Sequence, residues 1–335
     1  MTPRTTHLYI VGTPRSGTTL LAATLDRHSN IAVTPETHFH TDFCEKNAGL
    51  FKGPREHLVE TLLNDRYISD LRLDQNSLVE QIGQDWEDPA SVLRALMDTY
   101  RRANGKSIAA EKTPAHLHHV EKLLEGSETS RVVCIVRDGR DVAMSLLNMP
   151  SKPFPSLRRQ ALLWKHDARK IQLFEKTISD RFLRVHFEDL VSDPVPTLKK
   201  VVEFVGVEFE PGQTDSRREV GVVPDWEAGW KGKVNQSMDP KRSQAWKNWP
   251  DADSKLDVLN SVVGKELVAL GYEDSTPLPL SKFSRLKNTT LNTIYAILFT
   301  PRLSSLRRSF KDRMKLWGLW RLFHRSADTH QASNA

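Results

Sequence analysis

Residues 8–19 read Leu-Tyr-Ile-Val-Gly-Thr-Pro-Arg-Ser-Gly-Thr-Thr, and this stretch decides the fold. The apolar run Leu8–Val11 predicts a buried strand, and a helical pattern of leucines begins at Leu20. A loop bracketed by Gly12 and Gly17 joins the strand to the helix. The N–H groups of such a loop and the positive end of the helix dipole favour an anion. We therefore expect a phosphate or sulfate group to bind there.

The loop nearly has the spacing of the nucleotide-triphosphate P-loop, G-x-x-x-x-G-K-[ST]. Thr18 stands where that motif has lysine, and the cation of this loop is Arg15 instead. A kinase or ATPase uses the lysine to hold the β- and γ-phosphates. Its absence argues against triphosphate chemistry, while the loop still suits a 5′-phosphate. The alternative without a ligand is an ordinary glycine-rich turn between strand and helix.

Length and composition describe a soluble globular protein. The chain has 335 residues, of which 39% are hydrophobic and 27% charged. This length fits roughly two domains, or one large α/β domain with additions. The two cysteines suggest neither a disulfide scaffold nor a zinc site, so a reducing compartment fits. Met1–His7 lacks the apolar core of a signal peptide, and no run reaches the ~18 apolar residues of a membrane span. We therefore expect a cytoplasmic location.

The positive charge is concentrated at the C-terminus. Thr276–Ala335 holds 11 Lys/Arg and 2 Asp/Glu, a net +9, so the other residues sum to 6 − 9 = −3. The basic pI is thus no sign of a nucleic-acid partner. We divide the chain into residues 1–275 and a basic amphipathic extension, 276–335. The extension, with Trp317 and Trp320, fits a peripheral membrane contact. Equally, it fits a helix packed on the body or a flexible tail.

Strands alternate with helices along the first 275 residues. Four further runs predict strands: Ile31–Val33, Ile108–Ala110, Val132–Val136 and Phe182–Phe187. Amphipathic helical patterns lie between the strands, and a further one after the last strand covers Leu256–Leu270. This alternation predicts an α/β, P-loop-like three-layer fold, with a central, mostly parallel sheet covered by helices on both faces.

A second anion site is expected at the end of the fourth strand. Arg137 follows that strand, and Ser145 lies two turns into the next helix, facing back toward the strand end. Ligands of open α/β sheets bind outside the carboxyl ends of the strands, and Arg15 shares that edge. The two clusters could hold two phosphates of one nucleotide. Alternatively, Arg137 only pairs with Asp138 or Asp141 on a solvated turn.

Three segments resemble a known family. Thr13–Thr19 is similar to the 5′-phosphosulfate loop of sulfotransferases that use 3′-phosphoadenosine-5′-phosphosulfate (PAPS). Val132–Leu147 is similar to their 3′-phosphate motif, and Phe187–Val191 to their aromatic-Glu-Asp-Leu segment. The resemblance covers about residues 7–272. It implies PAPS as co-substrate, no metal, and these contacts: Thr13, Pro14, Arg15, Ser16, Gly17, Thr18, Thr19, Arg137 and Ser145.

The catalytic residues that the resemblance implies are Glu36, Arg15 and Lys112. Glu36 follows the loop helix, as the catalytic base does in tyrosylprotein sulfotransferases. Lys112 lies in a Glu-Lys-Thr-Pro segment similar to that of carbohydrate and bacterial sulfotransferases. His38 and His40 are rival bases. Glu36 could instead cap a helix, and Lys112 could instead pair with Glu111 or another neighbour.

Residues 206–250 are expected to form an irregular cover over the site. In the family this region supplies further cofactor contacts, and the candidates here are Ser237, Lys241 and Arg242. His116, His118 and His119 fit a helix face better than a metal site, because they lack carboxylate or cysteine partners at metal-ligand spacing.

The sequence thus predicts a PAPS-dependent sulfotransferase. It would move a sulfuryl group to a hydroxyl of an unknown carbohydrate, lipid or small-metabolite acceptor, by in-line transfer with Glu36 as base. Two alternatives stay open. One is a P-loop-type, ATP-dependent kinase, and the other is a non-catalytic module that binds nucleotides or sulfated glycans.

Overall fold

A parallel sheet of five strands forms the centre of the chain. The computed structural model describes residues 6–147, 156–215, 239–249, 252–277 and 281–299. The strands are β1 (His7–Val11), β2 (Ile31–Val33), β3 (Ile108–Lys112), β4 (Ser130–Val136) and β5 (Phe182–His186). Their order is β2-β3-β1-β4-β5, and every neighbouring pair is parallel. The predicted fold class is confirmed.

Helices follow the strands in the order that the sequence predicts. They are α1 (Thr18–Asp26), α2 (Cys44–Asn47), α3 (Arg55–Leu63), α4 (Gln75–Ile82), α5 (Pro89–Ala103), α6 (Val120–Leu124), α7 (Gly139–Leu147), α8 (Leu157–Thr177), α9 (Phe187–Ser192), α10 (Pro194–Val205), α11 (Ala252–Ala269) and α12 (Lys282–Phe299). Short 3-10 turns include Pro114–His119, Pro211–Thr214, Pro240–Arg242 and Ala245–Asn248. The last three lie within residues 206–250, the region expected to form the irregular cover.

Strand β1 shows why both faces of the sheet are covered. Successive side chains of a strand point to opposite faces. Tyr9 and Val11 join a core cluster with helices α5, α8 and α11. Leu8 and Ile10 join the other cluster, with helices α1 and α10. Because all four side chains are buried, β1 lies in the middle layer of three.

Two boundaries differ from the prediction in ways that matter for the site. Strand β3 continues to Lys112, so Glu111 and Lys112 belong to the strand rather than to the loop after it. Strand β5 ends at His186, and Phe187 begins helix α9. Glu111, Lys112 and Phe187 therefore lie at the carboxyl ends of the strands, along the edge of the sheet where the site is expected.

The first helix of the predicted extension packs on the body. Asn288 of α12 is buried, and its Nδ2 donates to Asp257 Oδ2 of α11 at 2.7 Å. Arg158 of α8 donates from Nη2 to Asn288 Oδ1 at 2.8 Å. The division at 275/276 stays a prediction, and residues 300–335, with Trp317 and Trp320, lie outside the described part. Within that part, no helix is both long and apolar enough to cross a membrane.

Candidate active site

The loop after β1 turns back on itself to begin helix α1. Arg15 and Gly17 have positive φ angles of 77° and 96°, and Ser16 N donates to Thr13 O at 3.0 Å. Left-handed residues within a turn direct successive N–H groups to one side, which makes a concave site for an anion. The cation-bearing loop therefore has the geometry expected from its glycine spacing.

Close packing explains the two glycines that bracket the loop. A Cβ at Gly12 would lie 2.5 Å from Ile135 O of β4, and a Cβ at Gly17 would lie 2.4 Å from Cδ2 of Phe187. Real Cβ atoms do not approach other atoms so closely, and the φ of Gly17 disfavours a side chain as well. The loop thus keeps its shape because β4 and α9 press against it.

A second group of contacts joins the loop to the end of β4. Arg15 Nε donates to Ser145 Oγ at 3.0 Å, and Arg137 Nη1 donates to Arg15 O at 3.3 Å. Arg137 Nη2 lies 3.4 Å from Asp141 Oδ2. The Arg137 guanidinium stands 4.7 Å from the centre of the Phe187 ring. The two predicted anion clusters are therefore adjacent, and the Arg137–Asp141 pair that the sequence left open as an alternative is present too.

Each cluster contains a buried polar atom without a partner among the described residues. These atoms are Ser16 Oγ in the loop and Arg137 Nε beside it. Buried hydrogen-bonding groups are normally paired, and such exceptions call for an explanation. Phosphate oxygens accept hydrogen bonds from hydroxyl and guanidinium groups, so a ligand with two phosphates would suit both atoms.

The positive charges of this region act on one another. Arg15 keeps an exposed surface, yet protein packed around its guanidinium lowers its pKa, and the charges of Arg137 and Arg242 lower it further. The group stays protonated in water, since the ordinary pKa of arginine is above ~12. An anion bound here would relieve this repulsion.

A lysine–carboxylate pair lies beside the loop on its other side. Lys112 Nζ, at the end of β3, donates to Glu36 Oε1 at 2.5 Å and reaches Thr19 Oγ1 at 3.5 Å. The Lys112 side chain is fully buried. Glu36 Oε2 lies 3.1 Å from His38 Nε2. The structure thus brings together Glu36, Lys112 and the first helical turn of α1.

Glu111 belongs to a separate buried network. Its Oε1 accepts from Thr37 Oγ1 at 2.8 Å and from Thr113 Oγ1 at 2.5 Å, and its Oε2 lies 3.0 Å from His116 Nδ1. His116 Nε2 also accepts a hydrogen bond from His40 N at 3.2 Å. Burial acts to raise the pKa of Glu111, yet His116 and the donor hydroxyls outweigh it and hold the pKa below its usual value. This network fixes the Thr37 and Thr113 loops that flank Glu36 and Lys112.

The remaining candidates are placed less uniformly. Arg242 O accepts from Arg137 Nη2 at 2.6 Å, which brings its turn next to the second cluster. Lys241 is exposed, with its backbone N bonded to Asp239. Ser237 lies outside the described residues. Among the residues that are described, no three His, Cys, Asp or Glu side chains are arranged for a metal ion.

Sequence reasoning did not find the role of Trp246. Its backbone N donates to Asp141 Oδ1 at 2.8 Å, and its Nε1 donates to Asp138 Oδ2 at 3.1 Å. It therefore anchors the Ala245–Asn248 turn to the start of α7. More than a hundred residues separate these partners, and no local pattern indicates such a contact.

Comparison with known proteins agrees with this geometry. The model of the sulfotransferase family matches residues 8–211, more than half of the chain. Protein-tyrosine sulfotransferase 1 of Danio rerio is 23% identical over 276 residues, which cover 79% of this chain and 72% of that protein.

Solved structures show the same fold. The sulfotransferase domain of the Synechococcus PCC 7002 olefin synthase aligns with a TM-score of 0.54 at 19% identity, covering 88% of this chain and 98% of that one. The sulfotransferase domain of the curacin biosynthetic pathway aligns with a TM-score of 0.51 at 19% identity, covering 80% and 98%. The family match together with the P-loop-like site shows that the chain belongs to the sulfotransferase family.

Proposed function

We propose that this chain transfers the sulfuryl group of PAPS to an acceptor hydroxyl, with Glu36 as general base. The observation that carries the proposal is the buried Lys112, which reaches both Glu36 and Thr19. A base and a cation thus stand together at the edge of the anion loop. Sulfuryl transfer needs both, one for the proton of the acceptor and one for the charge that builds on the transferring oxygens.

PAPS supplies the sulfuryl group: the bond from sulfur to the acceptor oxygen forms as the bond from sulfur to the 5′-phosphate oxygen breaks. Glu36 takes the acceptor proton, and 3′,5′-adenosine bisphosphate leaves. Arg15 and Lys112 stabilise negative charge on the sulfuryl and phosphate oxygens. Thr13–Thr19 would hold the 5′-phosphate, and Arg137 with Ser145 the 3′-phosphate. Lys241 and Arg242 stay proposed contacts, as does Ser237.

The surroundings of the rival bases support Glu36. Burial, with the nearby His116 and His119, lowers the pKa of His40 to about 3, so this ring is a weak base near neutral pH. His38 lies against the Tyr67 ring at 4.2 Å between centroids, and its Nε2 faces Glu36. We assign His38 the role of orienting the carboxylate.

Glu36→Gln tests the proposal. The amide keeps the shape of the side chain but cannot take a proton, so we expect transfer from PAPS to fall by about 100-fold or more. Affinity for 3′,5′-adenosine bisphosphate, measured by calorimetry, should stay within about twofold, since Glu36 contacts Lys112 and His38, which are not among the residues proposed to hold the two phosphates. The control is Glu60→Gln on the exposed side of α3, which should change neither quantity.

Three results would contradict the proposal. Undiminished transfer by Glu36→Gln, with loss in a His38→Gln variant, would make His38 the base. Binding and hydrolysis of ATP with magnesium, without any binding of the bisphosphate, would favour the kinase alternative. Bisphosphate binding without transfer by the unaltered protein would favour the non-catalytic module.

The acceptor is proposed as a carbohydrate, lipid or small metabolite with a hydroxyl. Because the Danio rerio relative is named a protein-tyrosine sulfotransferase, the same assay should also include a protein tyrosine as acceptor. We also propose a cytoplasmic location, with membrane contact by the extension. Removing residues 300–335, which leaves the Asn288 contacts in place, should abolish sedimentation with anionic vesicles. Unchanged sedimentation would exclude the membrane contact.

A further inference from the structure

A carboxylate that the proposed reaction does not use lies next to Lys112 in the chain. Glu111 precedes Lys112 in β3, and neighbouring residues of a strand point to opposite faces of the sheet. Lys112 reaches Glu36 and the first turn of α1 on one face, while Glu111 is fully buried on the other. Ala109 shares the face of Glu111 and belongs to the core cluster of helices α5 and α8. Any effect of Glu111 on the transfer is therefore indirect.

The Glu111 carboxylate joins the two segments that carry the proposed base and cation. Its Oε1 accepts from Thr37 Oγ1 at 2.8 Å and from Thr113 Oγ1 at 2.5 Å. Thr37 follows Glu36 in the chain, and Thr113 follows Lys112. One oxygen atom therefore fixes the residue after the base to the residue after the cation.

The same connection continues to His38. Thr113 Oγ1 accepts from His38 N at 3.2 Å while it donates to Glu111. His38 has a left-handed backbone, with a φ of 48°, and a residue other than glycine keeps this conformation only where its surroundings hold it. His38 Nε2 lies 3.1 Å from Glu36 Oε2, so the bond to Thr113 also sets the direction from which His38 meets the base.

The second oxygen of Glu111 is bound by a buried histidine. Oε2 lies 3.0 Å from His116 Nδ1, and both side chains are fully buried. Burial acts to raise the pKa of Glu111, but His116 and the two threonine hydroxyls hold it below its usual value, so the carboxylate is ionised near neutral pH. Hydrogen bonds to an ionised acceptor are stronger than those between neutral groups. The carboxylate therefore binds both threonine hydroxyls strongly.

We infer that Glu111 is a positioning residue for the transfer, which it affects through Thr37 and Thr113. The two threonines set the distance and direction between Glu36 and Lys112. A base acts only within hydrogen-bond reach of the acceptor proton, and misplacement by about 1 Å can cost about a hundredfold in rate. This role rests on the proposed function, because it takes Glu36 as the base. It predicts a lower transfer rate at unchanged nucleotide affinity, since none of these groups is proposed to hold a phosphate.

Thr113→Val tests this role, because valine keeps the shape of threonine and removes the hydroxyl that joins Glu111 to His38. Transfer is followed as release of 3′,5′-adenosine bisphosphate from PAPS, with 4-nitrophenol as the probe acceptor or, where it is not accepted, water. The kcat should fall at least about tenfold through lost positioning of the base. The KM for PAPS and the calorimetric affinity for the bisphosphate should stay within about twofold. Thr113→Ser keeps the hydroxyl and should recover most of the lost rate.

A double-mutant cycle separates positioning from a general weakening of the fold. In a Glu36→Gln background no base is left to position, so Thr113→Val should lower the rate there by less than about twofold. The matched control is Thr99→Val. Thr99 is also buried, and its hydroxyl donates to Ala95 O at 2.8 Å within α5. This variant removes one buried hydrogen bond too, and should leave the transfer rate unchanged.

Glu111→Gln should lower the rate more than Thr113→Val, because it alters the bonds to both threonines. If Glu111→Gln does not fold, Thr37→Val replaces it and should lower the rate as Thr113→Val does.

An undiminished kcat in Thr113→Val would overturn the inference. The same holds for an equal loss with and without Glu36, or for a Thr113→Ser variant that recovers nothing. Full transfer by Glu36→Gln alone would instead count against the proposed base. No turnover of PAPS by the unaltered protein would count against the proposed function, so these failures are distinguishable.

Discussion

Gly17 carries two constraints in one residue. Its φ of 96° favours glycine, and its Cα faces the ring of Phe187. A methyl group there would meet both the strain of a left-handed backbone and a clash with an aromatic ring that is itself packed under Arg137. The anion loop is therefore sensitive to a change that adds a single carbon.

Gly17→Ala should lower the free energy of unfolding by about 2–5 kcal/mol, from backbone strain and overpacking together. Affinity for the bisphosphate should fall as well, because the loop N–H groups move. Denaturant unfolding and calorimetry measure the two effects. Gly49→Ala is the control, since a Cβ at Gly49 meets nothing within 4 Å. Equal stability of the two variants would contradict this account.

At the same scale, some site contacts were predictable and others were not. Arg137 and Ser145 lie in one strand–helix unit, so their shared edge follows from spacing. Neighbouring residues of a strand point to opposite faces of the sheet. Once β3 is known to continue to Lys112, the side chains of Lys112 and Glu111 are expected on opposite faces. The partner that Lys112 has instead, Glu36, is 76 residues away and depends on how β2 and β3 pair.

The junction of β5 and α9 holds a carboxyl group with an unusual titration. Burial raises the pKa of Glu188 from 4.5 to about 7, although hydrogen bonds from backbone N–H groups and the charge of Arg137 oppose this. Asp138 N donates to Glu188 Oε1 at 3.0 Å, and Tyr272 Oη donates to Oε2 at 3.3 Å. The junction thus folds most favourably with this carboxyl protonated.

Glu188→Gln should change how stability depends on pH. Because the folded pKa is raised, the folded state binds more protons than the unfolded state between about pH 4.5 and pH 7, and stability falls as pH rises through that window. Above pH 7 the full free-energy cost of burying the ionised carboxylate applies. The glutamine variant lacks this cost. Its free energy of unfolding, relative to that of the unaltered protein, should therefore rise by about 2 kcal/mol when the pH is raised from 5 to 8.

Denaturant unfolding at the two pH values measures the difference, and Glu203→Gln on the exposed face of α10 serves as control. A constant offset between Glu188→Gln and the unaltered protein at both pH values would show that the group is not buried as described.

Element boundaries were predictable where the hydrophobic residues of a stretch follow a single periodicity. Strand β4 is continuously buried and helix α8 is amphipathic, so both appear in the sequence. The sequence predicts a strand over Phe182–Phe187, yet Phe187 already begins α9, and Asp193 separates α9 from α10. Pro194 starts the second helix, since its missing N–H is harmless at that position.

For the molecule as a whole, the described side chains of α12 include a polar network that docks the helix on the body. Asn288 joins Asp257 of α11 to Arg158 of α8, while Leu286 and Ile294 of the same helix are exposed. Tertiary contacts of this kind leave no periodic signal in the sequence. The sequence therefore leaves open whether the extension is a packed helix, a flexible tail or a membrane contact.

Asn288→Ala should release α12 without unfolding the body. The change removes two hydrogen bonds to charged groups, each worth about 1.5–3 kcal/mol. Backbone amides of Lys282–Phe299 should then exchange hydrogen at least about tenfold faster, while those of β4 keep their rates. Thr290→Ala, an exposed position on the same helix, is the control. Equal exchange in the two variants would contradict a docking role for Asn288.

The cluster formed by Arg15, Arg137 and Arg242 also affects how acceptors should be searched for. Since these like charges are crowded together, common buffer anions such as phosphate or sulfate would occupy the loop and raise the melting temperature. Thermal-shift screens run in such buffers would then register competition with the buffer rather than binding. Compound libraries are better screened in a chloride buffer, first with the protein alone and then with the protein loaded with the bisphosphate. Binding at the nucleotide site and binding elsewhere are then measured separately.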